Sequence, residues 1–290
     1  MPELDVGDGN VIHWEEHGNP QGKPALVVHG GPGSGSSPAW LRPFDLQRYR
    51  VILFDQRGCG RSRPHAADPA TDMRFNTTWH LVADMERLRE HLRIPAWLLY
   101  GGSWGSTLIL AYAQQHAHRV TEVVIAAVTM TRRADIDWLY RGVGRFFPAE
   151  WERFRSLVPD DDLVGGYARL MESPDPAVRE KAALEWCTWE DTFQGASHRP
   201  ARDRLAFVRI CTHYFAHAAW LEEGALLHHA PRLAGIPAVL IHGRLDLGSP
   251  LSAAWELHRA WPGSELIVDD SGGHALPGSH IRQALERFAG

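Results

Sequence analysis

Residues 98–112 read LLYGGSWGSTLILAY, and within them Gly101, Gly102, Ser103, Trp104 and Gly105 set one hydroxyl among three glycines. Glycine tolerates positive φ and close backbone approach, so this spacing predicts a sharp reversal of the chain. The run 97–100 before it is short, bulky and apolar, as a buried strand is, whereas 107–115 carries no breaker and suits a helix. Ser103 is thereby placed at a strand-to-helix corner, with its Oγ lifted clear of the sheet and the first N–H groups of the helix turned toward it. The five residues match G-x-S-x-G, a frame that holds a serine as a nucleophile. A plain glycine turn would give the same letters, so the rest of the chain must decide.

At 290 residues and 44% hydrophobic composition the chain can bury a full core, and α/β folds of this length commonly form one domain with an insertion. The formal charge of -5 arises from 30 basic and 35 acidic residues that are well mixed. Without the basic tracts that a phosphate backbone demands, nucleic acid is not expected as a partner. No stretch approaches the roughly 20 apolar residues of a membrane span, and the opening MPELDVGDGNVIHWEEHG has no basic segment followed by an apolar one. A soluble cytoplasmic protein with no membrane partner is predicted. Cys59, Cys187 and Cys211 are scattered without C-x-x-C spacing, so neither a disulfide scaffold nor a metal site is indicated.

Residues 3–17 predict two short strands joined at the glycine-rich GDGN. Beyond them ALVVHG (25–30), RVILFDQRG (50–58), WLLYGGS (97–103) and EVVIAAV (122–128) are β-branched or apolar runs. They alternate with helical segments, most clearly NTTWHLVADMERLREHL (76–92), where Leu81, Val82, Met85, Leu88 and Leu92 share one face. Such alternation predicts a mostly parallel α/β sheet covered on both faces, with functional groups at the carboxyl ends of its strands. After Val128 the strand pattern vanishes and returns only at AVLIHGRLD (238–246) and ELIVDDSGGH (265–274). Residues 131–225 between them are rich in helix formers and carry Trp138, Trp151, Trp186, Trp189 and Trp220. They are expected to form a helical cap over a catalytic domain made of residues 1–130 and 226–290. The cap aromatics read first as core, although a cap over strand ends is also where a pocket forms.

A serine hydroxyl is a weak nucleophile at neutral pH and needs a base, which in turn needs an orienting carboxylate. After a serine in this frame, the acid is expected past a late strand and the histidine on the loop after the last one. Asp246 in VLIHGRLDLGSP and His274 in SGGHALPG meet both conditions. With 17 histidines in the chain, His242, His258 and His280 are rivals, reading as strand, helix and final-helix residues respectively. Asp269 and Asp270 compete with Asp246, but they precede His274 so closely that pairing would need a tight local turn. Acyl transfer also requires two donors for a developing oxyanion. The backbone N–H of Trp104 is one, and Gly31 in HGGPG (29–33) the other, chosen because a missing Cβ leaves room for the oxygen.

Taken together, HGGPG (29–33), DQRGCGRS (55–62), NTTWHLVADMERLREHL (76–92), GGSWGSTL (101–108), RFFPAEWE (145–152), WEDTF (189–193) and HYF (213–215) resemble the prolyl aminopeptidase, or proline iminopeptidase, family of α/β-hydrolases. The resemblance spans nearly the whole chain. It implies the α/β-hydrolase fold, a mostly parallel central sheet flanked by helices with an inserted helical cap. Ser103 is implied as nucleophile, Asp246 and His274 as its partners, Gly31 and Trp104 as oxyanion donors, and no cofactor or metal is called for. The implied substrates are peptides with a free N-terminal proline, whose secondary amine meets the glutamate of the WE pair, Glu190. There are departures: RICTHYF places Cys211 where a second amine-binding glutamate is expected, GGHALPG replaces a serine-containing loop, and GRLD replaces the commoner GRYD. Cys211 is therefore counted with Glu190 among the substrate-binding positions. In DQRGCGRS, Asp55, Arg57 and Arg61 read as braces for loops beneath the pocket, and no Lys-Ser or Lys-Thr pair makes its glycines a phosphate cradle. A small-acyl esterase or amidase is the alternative, in which Glu190 is merely a surface charge of the cap.

Overall fold

Period-two burial runs through the middle of the sheet. In the computed structural model, which describes residues 2–159, 161–195 and 199–290, Ala25 and Val27 face one core while Leu26 and Val28 face another. The strands are β1 (Glu3–Gly7), β2 (Asn10–Gly18), β3 (Lys23–Val28), β4 (Tyr49–Phe54), β5 (Trp97–Ser103), β6 (Val120–Val128), β7 (Ala238–Gly243) and β8 (Ser264–Asp269). Their order is β1-β2-β4-β3-β5-β6-β7-β8. β2 pairs antiparallel with both β1 and β4, and every other pair is parallel. The first two strands form the expected hairpin, with Gly7 paired to Asn10 across the turn.

The helices are α1 (Thr78–His91), α2 (Trp104–Gln115), α3 (Arg133–Tyr140), α4 (Pro148–Arg155), α5 (Leu163–Met171), α6 (Pro176–Gln194), α7 (Ala201–Ala216), α8 (Ala225–His228), α9 (Leu251–Ala260) and α10 (Gly278–Phe288). α1 buries Leu81, Val82, Met85 and Leu88 as its apolar stripe requires, and Thr77 caps its N-terminus. α10 covers the opposite face with Ile281, Ala284 and Leu285. Because the sheet is sandwiched, its central strands carry continuous apolar runs, each fully buried Val, Leu or Ile contributing about 1.5–3 kcal/mol.

Helices α3–α7 occupy the chain between β6 and β7 and gather a core of their own, which includes Tyr140, Phe154, Tyr167, Trp186 and Trp189. α7 belongs to both cores. Ala206, Ile210 and Tyr214, spaced by four, join the sheet-side cluster, while Phe207, Val208 and Cys211 join the helical one. Among the described residues no helix is long and apolar enough to cross a membrane.

Two strands end where their apolar runs give way to polar residues. RVILFDQRG leaves the sheet at Phe54, because Asp55 turns its carboxylate to Ser36 and Arg61. ELIVDDSGGH stops at Asp269, whose Oδ1 accepts the Ser271 N–H in a local turn.

The switch in strand order falls at β3, which has β4 on one side and β5 on the other. A crevice opens at the carboxyl ends of such strands. His29–Gly33 leaves β3 there, and Ser103 leaves β5.

Candidate active site

Ser103 ends β5 with φ 55° and ψ −131°, a conformation that costs an L residue about 1–3 kcal/mol. The strain sits on the serine itself, since none of Gly101, Gly102 and Gly105 has positive φ. Those glycines serve close approach instead. A Cβ on Gly101 or Gly105 would lie 2.4 or 2.2 Å from the Val28 carbonyl oxygen, and one on Gly102 would lie 2.7 Å from that of Ala126. The neighbouring strands thus admit the corner only if it lacks side chains.

His274, on the loop after β8, reaches back to this corner. Its Nε2 accepts from Ser103 Oγ at 3.1 Å, and its Nδ1 donates to both oxygens of Asp246 at 3.0 Å. Asp246 follows β7, is buried, and has Oδ1 further held by the Ser249 N–H at 2.8 Å. Gly248 leaves room for the pair, since its Cβ would stand 3.1 Å from His274 Nδ1 and 3.3 Å from Asp246 Oδ1. Nothing in the LGSP stretch marks that glycine in the sequence, because its neighbours His274 and Gln194 lie far along the chain. Burial opposes charging of the imidazole, but the hydrogen bond and charge of Asp246, with Glu190 adding, hold the His274 pKa above its ordinary value.

None of the rivals bonds to Ser103, although His242 Nε2 stands 3.6 Å from Asp246 Oδ2. His242 is buried in β7, where Nδ1 accepts from the Val128 N–H at 3.0 Å and Nε2 donates to the Ser249 carbonyl at 2.7 Å. His258 meets Ser264, and His280 stands 3.7 Å from Asp269. Asp270 pairs with Arg244 at 2.6 Å.

Trp104 is the first residue of α2, so its N–H lies outside the intrahelical ladder and opens beside Ser103. Gly31 lines the same space, but the reason expected for its being glycine needs correction. It adopts φ 116°, and a Cβ there would strike Gly33 N at 2.6 Å and Ser34 N at 2.8 Å, so the loop's own turn demands the glycine. Room over Ser103 comes from Gly30, whose Cβ would lie 3.3 Å from that of Ser103.

Two cavities meet here, one of ≈310 Å³ and a narrow one of ≈30 Å³, and Gly31, Ser103, Glu190, Gln194 and His274 line both. Trp40, Tyr100 and Arg199 wall the larger, and Ile136, Leu139 and Phe215 the smaller. Glu190, on α6, is buried, with Oε1 accepting from the Tyr140 hydroxyl at 2.7 Å and the Trp186 indole at 2.9 Å. Burial raises its pKa against those two donors and the nearby Arg199 charge. No sequence motif marks Tyr140, and its place as a partner of Glu190 comes from the fold. Cys211 is different: it is fully buried, its thiol donates to the Pro32 carbonyl at 3.3 Å, and it lines neither cavity. The structure brings Glu190 to the site and leaves Cys211 behind the wall.

Asp55, Arg57 and Arg61 stand as braces. Arg61 and Ser36 hold Asp55 at 2.9 and 2.6 Å, and Arg57 grips buried Asp84 through two bonds of 2.6 and 2.7 Å.

Residues 23–280 match the family described as alpha/beta hydrolase fold. The probable proline iminopeptidase of Streptomyces coelicolor is 48% identical over 285 residues, covering 93% of this chain and 88% of that protein. The proline iminopeptidase of Xylella fastidiosa is 44% identical over 94% of this chain and 90% of its own, and that of Arabidopsis thaliana 41% identical over 94% and 74%. This chain belongs to the proline iminopeptidase family of α/β hydrolases. Solved structures agree on the fold. An esterase from Rhodococcus sp. superposes with a TM-score of 0.64 at 20% identity, covering 99% of this chain and 98% of that one. A proline iminopeptidase-related protein from Thermus thermophilus gives 0.61 at 22% identity, covering 99% and 95%.

Proposed function

We propose that this proline iminopeptidase family member is a serine aminopeptidase that releases N-terminal proline from peptides through an acyl-enzyme on Ser103. Residues 131–225 are its cap, and residues 1–130 and 226–290 its catalytic domain. Ser103 Oγ attacks the carbonyl carbon of the terminal proline while His274 Nε2 takes the hydroxyl proton, with Asp246 steadying the imidazolium. The carbonyl oxygen becomes an oxyanion received by the N–H groups of Gly31 and Trp104. Collapse of the tetrahedral species breaks the C–N bond, and His274 gives its proton to the departing amine. Water then repeats the sequence, its proton passing to His274 and back to Ser103 as proline leaves.

The observation that carries the reading is Glu190, a buried carboxylate on the wall of the cavities that also hold Ser103 and His274. A buried carboxylate calls for a cationic partner, and the ammonium of an N-terminal proline is one that an ester or blocked amide lacks. The test compares proline 4-nitroanilide with its N-acetyl form in the parent and in Glu190→Gln. A charge-assisted hydrogen bond contributes about 1.5–3 kcal/mol, so KM for the free amine is expected to rise roughly tenfold or more in the variant. Equal turnover of free and acetylated substrate by the parent enzyme would instead favour the esterase or amidase alternative.

A further inference from the structure

The two proposed oxyanion donors arise on different segments, Gly31 on the loop after β3 and Trp104 at the start of α2, and something must fix the distance between them. Gln56, buried in the loop after β4, bonds to each segment, at His29 on the first and Trp104 on the second. Its side-chain Oε1 accepts from the Trp104 indole Nε1 at 3.1 Å, and its Nε2 donates to the His29 carbonyl at 2.9 Å. Its backbone N–H donates to His29 Nε2 at 3.1 Å. That bond makes Nε2 an acceptor and leaves the ring proton on Nδ1, where it is donated to the Gly30 carbonyl at 3.0 Å. Ser34 N–H reaches the same carbonyl oxygen at 3.2 Å.

The Gly30 carbonyl and the Gly31 N–H are the two ends of one planar peptide unit, and in a trans peptide they point opposite ways. Pinning the oxygen through His29 and Ser34 therefore aims the N–H. On the other side, Trp104 donates its indole to Gln56 while its backbone N–H faces the nucleophile. We propose that Gln56 is a positioning residue that clamps the two halves of the oxyanion hole at their working separation, through the Trp104 indole on one side and His29 on the other. The proposal rests on the Ser103 acyl-enzyme reading but not on the identity of the acyl group.

Gln56→Met keeps the side-chain length and removes both side-chain hydrogen bonds, and Trp104→Phe cuts the same link from its other end while keeping the backbone donor. Misplacement by a fraction of an ångström to one ångström at a reacting centre costs up to about a hundredfold in rate, so kcat on proline anilide is expected to fall by roughly tenfold to a hundredfold in Gln56→Met. KM and inhibition by pyrrolidine, which carries the secondary amine but no oxygen to enter the hole, stay at parental values. Inhibition by the proline aldehyde, whose adduct with Ser103 carries the oxyanion, weakens by the same factor as kcat/KM. The Gln56→Met/Trp104→Phe double variant loses no more than the worse single one, because both break one link. If Gln56→Met does not fold, Trp104→Phe carries the same kcat, KM and aldehyde readouts. Parental kcat in both single variants beside an inactive Ser103→Ala overturns the clamp alone, as does a loss confined to KM or additive in the double variant. Retained turnover in Ser103→Ala overturns the nucleophile, and the clamp with it.

Discussion

The Tyr140 hydroxyl donates to Glu190 Oε1 at 2.7 Å, joining α3 to α6 within the wall of the active-site cavities. Burial already raises the pKa of Glu190, and this donor is one of the groups that restrain it. Removing it in Tyr140→Phe raises the carboxyl further, so the group is neutral over more of the acidic range. A hydrogen bond to a charged group contributes about 1.5–3 kcal/mol, so KM for proline anilide is expected to rise roughly tenfold at the acidic end and less toward neutrality. A pH series of KM for both enzymes checks it; parallel curves contradict it.

The pH dependence of kcat/KM follows from His274. In the proposed mechanism only the neutral imidazole takes the Ser103 proton, and Asp246 holds the imidazolium against the opposing effect of burial, so the pKa lies above the usual histidine value. Activity therefore rises with pH over a window displaced upward from about 6.5. In Asp246→Asn the holding charge is gone and burial acts unopposed by it. The acidic limb is expected to move to lower pH while kcat drops by about four orders of magnitude, the scale seen when the orienting carboxylate of such a triad is lost. A limb that stays in place, or moves upward, contradicts the assignment of Asp246.

Cys211 offers a contrast between sequence position and location. Its side chain is fully buried against Pro32 and the helical core and lines neither cavity. Cys211→Ala is expected to lower stability by about 1 kcal/mol, the scale of deleting one buried methyl-sized group. The preference for free over acetylated amine should be unaltered. A loss of that preference, measured with the two anilides, would restore Cys211 to the amine site.

Buried ion pairs are costly to break on one side, and Arg57 with Asp84 is such a pair, with both side chains shielded from solvent. Asp84→Ala leaves Arg57 with the Phe75 and Val6 carbonyls and one oxygen of exposed Asp8 at 3.5 Å, without its buried carboxylate. Denaturant titration is expected to show a loss of about 3–5 kcal/mol. The folded fraction should retain parental kcat/KM, since neither residue lines the cavities.

The triad was legible because each member closes a strand-end pattern that local composition reveals: apolar run, then glycine or a polar turn. What composition conceals is contact across the chain. Gln56 lies between two charged residues in DQRG, and its partners His29 and Trp104 stand 27 and 48 residues away. Glycine positions were found readily and their reasons less so, because Gly31 and Gly30 differ only in which neighbour a Cβ would strike. Glu190 came from resemblance, since nothing in WEDTF alone distinguishes a buried acid from a surface one. β4 and β8 end at Phe54 and Asp269, where the side chains of Asp55 and Asp269 turn to local partners.

α7 presents Ala206, Ile210 and Tyr214 to the sheet-side core and Phe207, Val208 and Cys211 to the helical core. Neither cluster can melt without stripping one flank of a helix that the other still needs. The two are thus thermodynamically fused, and heating is expected to give a single calorimetric endotherm whose calorimetric and van't Hoff enthalpies coincide. A separate early transition for the helical half has no place in this arrangement, and limited proteolysis should release no stable sheet fragment lacking α7.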